Sequence, residues 1–270
     1  MIIKKIFIFL IACVVVIVFV LFLNIKKENK MVVLDVGQGD AVLFQSASGS
    51  HLLVDCGPDV SVVFGLSAHL NFQDDIDVLI VTHPDSDHAT GCVEVIRQYN
   101  VRHVIALATE DDLPAYTVFI KEALKQNIPI TRPIAGDVIV LPGMRIDVLW
   151  PLSHEDAYSL SSNDASYVTR VTVGDSAVLL TGDVSKEIEE RLVFLYRDKL
   201  RSDYFKLGHH GSDTSSGDLL LSEVSPQEVF NSSGKGNRFG HPHQEVQERL
   251  RVLGMPLRDT QDHGSIEVGL

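Results

Sequence analysis

Beyond Lys30 the chain is short of positive charge: eighteen Lys and Arg stand against thirty-five Asp and Glu, a formal charge of −17. Such a surface repels polyanions. With no basic stripe of Lys/Arg beyond Lys30, it counts against a protein that grips duplex nucleic acid along its backbone. Cysteine is scarce too. Cys56 and Cys92 stand in apolar contexts where free buried thiols are common, and they can pair only if the fold brings them together. One stretch lacks charge altogether: Ile6 to Leu23 is apolar without a break, long enough to cross a bilayer as a helix. The Leu21-Phe22-Leu23-Asn24 that closes it lacks the small-residue pattern of a cleaved signal, which makes it an uncleaved anchor. The expected organisation is an anchor with a short basic linker in residues 1–30 and one large domain in residues 31–270. Lys4 and Lys5 balance Lys26, Lys27 and Lys30 across the anchor, so flanking charge leaves its orientation open. A short basic head usually leaves the following domain outside, and an extracytoplasmic domain is the expectation.

What the sequence does have is a dense metal-capable turn, Thr82-His83-Pro84-Asp85-Ser86-Asp87-His88-Ala89-Thr90-Gly91. His83, Asp85, Asp87 and His88 fall within six residues. The apolar run Ile76 to Val81 before it reads as a buried strand, and Cys92 to Tyr99 behind it has helical spacing, so the four side chains can converge at a strand-to-helix turn. A metal needs donors at about 2 Å with charge to offset its own, and two imidazoles with two carboxylates meet that need. A helix cap at Ser86 or Asp87 is the plainer alternative; it accounts for one acidic residue and for neither histidine.

Strands and helices alternate along the rest of the chain, which gives a layered α/β architecture. In the turn Asp35-Val36-Gly37-Gln38-Gly39-Asp40-Ala41, two glycines let Gln38 and Asp40 point into a shared space. Asp55 and Asp183 each end a buried strand, where an aspartate is often only a cap. Tyr204 to Leu207 reads as a strand leading into Gly208-His209-His210-Gly211-Ser212. Asn231 to His243 is a Gly/Ser-rich loop with two cations, Lys235 and Arg238, that ends where Pro242 opens a helix. Such a loop suits an anion at a helix N-terminus, or is simply mobile surface. His51, His69, His103, His154, His243 and His263 fall outside any ligand spacing and read as structural or solvated.

The metal turn resembles the T-H-x-H-x-D-H-x-G-G signature of the metallo-β-lactamase superfamily, with Asp85 in place of the second histidine. In that form, together with D-V-G-Q-G-D-A, N-x-x-S, H-H-G-S and N-x-x-G-H-P in the same order, it is similar to the hydrolase domain of ComEC-type DNA-uptake proteins. The resemblance implies a four-layered αββα sandwich, here carried behind an N-terminal transmembrane helix. It implies one or two divalent ions held by His83, Asp85, Asp87, His88, Asp183 and one of His209 or His210, since alternation along an extended chain keeps both from pointing the same way; His209 is the expected ligand. Asp183 would bridge two ions, Asp55 would support the metal loop from behind, and Asn163 and Ser166 would stand where relatives offer a third histidine. A site that poor in nitrogen suits manganese or magnesium as well as zinc.

The implied reaction is metal-assisted hydrolysis of a phosphodiester, single-stranded DNA among the candidates, with Asp87 orienting the attacking water and His241 protonating the leaving oxygen. Gln38, Asp40, Ser212 and Asn237 would support the site or touch substrate, and Lys206, Lys235 and Arg238 would add the local positive charge. Two alternatives stay open: a hydrolase for a non-nucleic ester, and a catalytically weak metal-binding partner domain in a membrane complex.

Overall fold

The computed structural model describes residues 28–108 and 113–270. The apolar anchor segment lies outside the described residues, and among those described no helix is long and apolar enough to cross a membrane. Short apolar runs between Gly-rich turns become strands because alternate side chains can be buried on opposite faces. In the first half these are β1 (Lys30–Val33), β2 (Val42–Gln45) and β3 (His51–Val54), then α1 (Ser61–Ser67), β4 (Asp75–Ile76), β5 (Val78–Val81), α2 (Ser86–Ala89), α3 (Cys92–Gln98), β6 (Asn100–Val101), β7 (Val104–Ala106), α4 (Pro114–Lys125) and β8 (Ile130–Thr131). The second half runs β9 (Val138–Leu141), β10 (Met144–Trp150), α5 (His154–Ser159), β11 (Val168–Val173), β12 (Ser176–Leu180), α6 (Lys186–Tyr196), β13 (Tyr204–Lys206), α7 (Asp218–Val224), β14 (Glu228–Asn231), α8 (Gln244–Leu253), β15 (Leu257–Asp259), α9 (Thr260–His263) and β16 (Ile266–Gly269).

Two seven-stranded sheets result, ordered β16-β1-β2-β3-β5-β7-β8 and β15-β14-β13-β12-β11-β10-β9. The period-two alternation divides their apolar residues among three layers. Leu52, Val54, Val78 and Ile80 of the first sheet meet Val178, Leu180 and Phe230 of the second in a shared core. Leu53, Leu79 and Val81 face the other way, against Val62, Val95 and Phe119 of α1, α3 and α4. On the far side Leu179, Phe205 and Val229 pack on Leu192, Leu221 and Val246 of α6, α7 and α8. Each such side chain contributes about 1.5–3 kcal/mol by leaving water. The expected αββα order of layers is therefore present.

Strands β3, β5, β7 and β8 are mutually parallel, as are β12, β13, β14 and β15. Parallel strands deliver their carboxyl ends to one edge, where loops can converge on a ligand. His83 follows β5, Asp183 follows β12 and His209-His210 follow β13, so one edge of the sandwich collects the metal-capable residues. Two details differ from the sequence reading. The metal turn contains its own single helical turn, α2, and the last loop passes through Pro242 before α8 starts at Gln244.

Candidate metal centre

The centre is built from chain segments that approach too closely for side chains to intervene. Gly39 has φ +147°, and a Cβ there would lie 2.3 Å from the Asp87 carbonyl oxygen; a Cβ on Gly91 would lie 2.0 Å from that of Cys56. These contacts press the turns at residues 35–41 and 55–57 against the metal turn. A disulfide between Cys56 and Cys92 reinforces the second contact, with Cα atoms 5.1 Å apart, and the Cys56 N–H donates to the His88 carbonyl at 2.8 Å. The fold thus pairs the two cysteines.

Asp55, in the left-handed region at φ 60°, accepts from the Thr82 N–H and from Thr82 Oγ1, both at 2.7 Å, and from His88 Nδ1 at 2.8 Å. Because a carboxylate only accepts, His88 Nδ1 must carry a proton, and in the neutral imidazole that a metal would bind, Nε2 keeps a lone pair. Thr82 Oγ1, having given its proton to Asp55, accepts from His83 Nδ1 at 3.0 Å, which leaves a lone pair on His83 Nε2 as well. The same logic governs His210, whose Nδ1 lies 3.0 Å from Asp40 Oδ1. Asp40 is in turn held by Lys206 Nζ at 2.8 Å. Lys206 is 3% exposed and also donates to the Leu207 carbonyl, so it props the site and is out of reach of substrate, contrary to the sequence reading.

In the neutral rings the lone pairs of His88 Nε2 and His210 Nε2 would face each other at 3.3 Å. Only a cation or a proton between them reconciles that contact. Asp87 Oδ2 is 3.3 Å from His210 Nε2, and the two Asp183 oxygens are 3.4 and 3.6 Å from His88 and His210. A tetrahedron whose centre is about 2 Å from each donor has edges of about 3.3 Å. Four contacts among Asp87, His88, His210 and Asp183, at 3.3–3.6 Å, are close to that edge, and a divalent ion fits between His88, His210 and the neighbouring carboxylates. A second set is wider: His83 Nε2 is 3.9 Å from both Asp85 Oδ2 and Asp183 Oδ2, and His209 Nε2 is 3.7 Å from Asp183 Oδ2. His83 Nε2 and Asp183 Oδ1 are buried without a hydrogen-bond partner, a costly state that a bound cation would relieve. Asp183 is common to both sets.

A model of the metallo-β-lactamase superfamily matches residues 34–254. The chain belongs to that superfamily. Among characterised relatives it is 26% identical to ComE operon protein 3 of Bacillus subtilis over 275 residues, and 32% identical to competence protein ComA of Neisseria gonorrhoeae over 247. These alignments cover 95% and 91% of this chain but 35% and 33% of those proteins, so the chain spans about a third of their length. The likeness to ComEC-type competence proteins is therefore found in sequence as well as in the motifs. Among solved structures, the metallo-β-lactamase fold protein YhfI of Bacillus subtilis superposes with a TM-score of 0.58 at 15% identity, over 90% of this chain and 100% of that one. That match supports the fold alone.

Within this superfamily fold, the metal turn is more than a helix cap: α2 is capped at Asp85, whose side chain makes no capping bond. His209 and His210 do not lie on an extended chain. Both are left-handed, at φ 50° and 54°, and a side chain held in that region usually marks a functional constraint. The turn buries His210 among the carboxylates and leaves His209 29% exposed, its Nδ1 3.1 Å from Thr214 Oγ1. The geometry favours His210 for the tighter set and puts His209 at the wider one, on the open side.

Ser166 accepts the Asp183 N–H through Oγ at 3.3 Å, and its own N–H donates to the Asn163 carbonyl; the pair holds Asp183 in place. Ser212 is buried and bonded within its loop to Thr214. Asn237 spends its amide on the loop itself, donating to the Gly234 and His241 carbonyls and accepting from the Phe239 and His241 N–H groups. It shapes the loop that carries His241 and has nothing left for substrate. Gln38 Nε2 lies 3.3 Å from His241 Nδ1, while Gln38 Oε1 accepts the Gly234 N–H.

Electrostatics follow from this packing. Burial would raise the Asp183 carboxyl, but His88 and His210 hold it well below the usual range. Burial would lower His210, but Asp183 and Asp40 push it up to about 9. His241 is pushed down to about 4, first by burial and then by His210, His243 and His209, so its imidazole is neutral at pH 7.

Proposed function

We propose that this chain is a metal-dependent phosphodiesterase, anchored in a membrane with its domain outside the cytoplasm, that hydrolyses single-stranded DNA in the context of DNA uptake. The observation that carries the reading is the pair of donor sets sharing Asp183, one of them with contacts of 3.3–3.6 Å. Divalent ions bound there would supply a nucleophile from water at neutral pH and offset the charge that develops on the phosphoryl oxygens. The protein's own residues do the rest. Asp55, Asp40 and Lys206 hold His88 and His210 with Nε2 inward. Asp87, whose side chain is 33% exposed, reaches both the donor cluster and the open side, where it orients the attacking water. Gln38 donates to His241 Nδ1 and so leaves the proton on Nε2. A neutral His241 is then a hydrogen-bond donor to the leaving or a non-bridging oxygen, a smaller role than the general acid expected from its motif.

The relatives named as competence proteins support the DNA-uptake setting, and the acidic surface supports a single strand over a duplex. The apolar run in residues 6–23 supports the anchor. The Cys56–Cys92 disulfide is in keeping with an oxidising compartment.

The test uses the full chain in detergent with manganese, zinc or magnesium, beside Asp183→Asn. Cleavage of single-stranded DNA that requires metal and is lost in the variant is the expected result. Cleavage of a bis-aryl phosphodiester but of no DNA would move the substrate elsewhere. Silence on every ester at full metal occupancy would leave a metal-binding partner domain.

A further inference from the structure

The loop Asn231 to His243 carries two cations that the metal centre does not use, Lys235 and Arg238, and an aromatic ring beside them, Phe239. It leaves β14 next to β13, the strand that leads into His209 and His210, and its Gly234 N–H donates to Gln38 Oε1 in the turn at residues 35–41. The loop therefore stands at the metal edge. Within it the Phe239 ring stacks on His241, with centroids 5.6 Å apart and planes 22° from parallel. The His241 centroid lies in turn 5.9 Å from that of His209 and 6.3 Å from that of His210. Only one ring separates Phe239 from the donors.

A lone exposed aromatic side chain is ordinary on a protein surface. Two features set this one apart. Its backbone is held on both sides: the Phe239 N–H donates to Asn237 Oδ1 at 3.2 Å, and its carbonyl accepts from His243 Nε2 at 3.0 Å. A ring that is 50% exposed is thus presented by a loop fixed at that residue. The second feature is charge. Lys235 and Arg238 are exposed and form no ion pair among the described residues, and the Arg238 guanidinium sits 4.9 Å over the Phe239 ring. An exposed cation–π contact is weaker than the stacking of a base on an aromatic ring, so a base can take the place of the guanidinium.

We propose that Phe239 is a stacking platform for a base of the substrate strand, in a nucleotide adjoining the scissile phosphodiester. The proposal rests on the phosphodiesterase reading and deepens it. With a net charge that repels phosphates, an acidic protein holds a strand better through its uncharged bases, and every base has a face that an aromatic ring can stack on. A duplex keeps its bases stacked on one another, so the platform also selects a single strand. His241 stands between platform and donors. A strand whose base lies on Phe239 accordingly passes its backbone to the open side, where His209 and Asp87 are.

The experiment gives the manganese-loaded full chain in detergent two oligomers with the same phosphodiester backbone: oligothymidylate, and its analogue with every base replaced by hydrogen. The ratio of their kcat/KM values is the readout, because the contribution of the backbone cancels in it. It is expected to favour oligothymidylate, to fall about tenfold in Phe239→Ala and to be restored in Phe239→Tyr, which keeps the ring. A ratio near unity in the unaltered chain overturns the platform while leaving the hydrolase intact. So does a ratio untouched by Phe239→Ala even where both rates fall, since the ring would then only brace His241. If neither oligomer is cleaved, the hydrolase reading fails by itself. Fluorescence anisotropy of the two labelled oligomers then decides: tighter binding of oligothymidylate that is lost in Phe239→Ala supports the platform, and equal binding, no binding, or a preference unchanged in the variant overturns it.

Discussion

The two donor sets that share Asp183 are built differently. Around His88 and His210 every imidazole is backed by a carboxylate, Asp55 or Asp40, and each of those carboxylates is itself held, by Thr82 or by Lys206. Around His83 the backing is a hydroxyl, Asp85 is 36% exposed and His209 is 29% exposed. The donor separations follow suit, 3.3–3.6 Å in the first set and 3.7–3.9 Å in the second. Supported imidazoles are oriented before a cation arrives, so less of the binding free energy is lost to ordering them. On the proposed reading, the first set is prepared in advance, and the second is one that an ion would help to assemble.

The comparison can be broken from beneath the prepared set. Asp40→Ala would strand the Lys206 ammonium, which is 3% exposed, and an uncompensated buried charge costs about 3–5 kcal/mol. Asp85→Ala, at the more open set, is expected to stay within about 0.5 kcal/mol. Urea midpoints of the two metal-free variants read the contrast, and equal losses would remove the distinction. The disulfide clamps the same region, since Cys56 follows Asp55 and bonds to the His88 carbonyl. Closing a loop of 36 residues contributes about 4 kcal/mol in the chain-entropy account. Replacing both cysteines by alanine should lower stability by that order, together with affinity at the prepared set.

A third support lies further back. Glu189, 1% exposed on α6, accepts the Ser216 and Gly217 N–H groups at 2.6 and 2.8 Å, and Ser216 Oγ accepts the Gly208 N–H just before the two histidines. Burial raises the Glu189 carboxyl from 4.5 to about 7, although those N–H donors, Lys186 and Arg249 work the other way. A group whose pKa is higher folded than unfolded adds stability that is full below pH 4.5 and is lost as pH rises through about 7. The change is roughly 3 kcal/mol in all. Denaturation midpoints at pH 4.5 and pH 8 should show this fall in the unaltered chain and a flatter profile in Glu189→Gln.

How far the sequence could be read depended on the distance over which each contact forms. The metal turn was legible because its four donors are neighbours in the chain, and Asp183 because a strand that ends in aspartate has a local signature. The layered fold was legible because period-two strands and helical spacing alternate. The disulfide was not, since it depends on two elements meeting across 36 residues. Lys206 was misjudged for the same reason: nothing local shows that a lysine ending a strand will meet Asp40 from the first turn of the domain. Nothing local separates His209 from His210 either, since the backbone at both is left-handed rather than extended and it is the packing that buries His210 and leaves His209 29% exposed.

The smallest effects sharpen the comparison most, because they separate the two sets without unfolding either. Calorimetric titration of the metal-free chain with zinc or manganese should show two steps, the tighter at Asp87, His88 and His210. Asp55→Asn keeps the size of the side chain but places an amide beside His88 Nδ1, which loses its fixed acceptor. Losses of this kind cost about 10–100-fold in metal affinity. That loss should fall on the tighter step. Asp85→Ala should leave the tighter step in place and remove the weaker one, since its oxygen approaches only His83 among the donor nitrogens. A single step in the unaltered chain, or a tighter step that disappears with Asp85 and survives the change at Asp55, would mean that exposure and donor spacing do not rank the two sets. The buttressing of His88 and His210 would then serve folding alone.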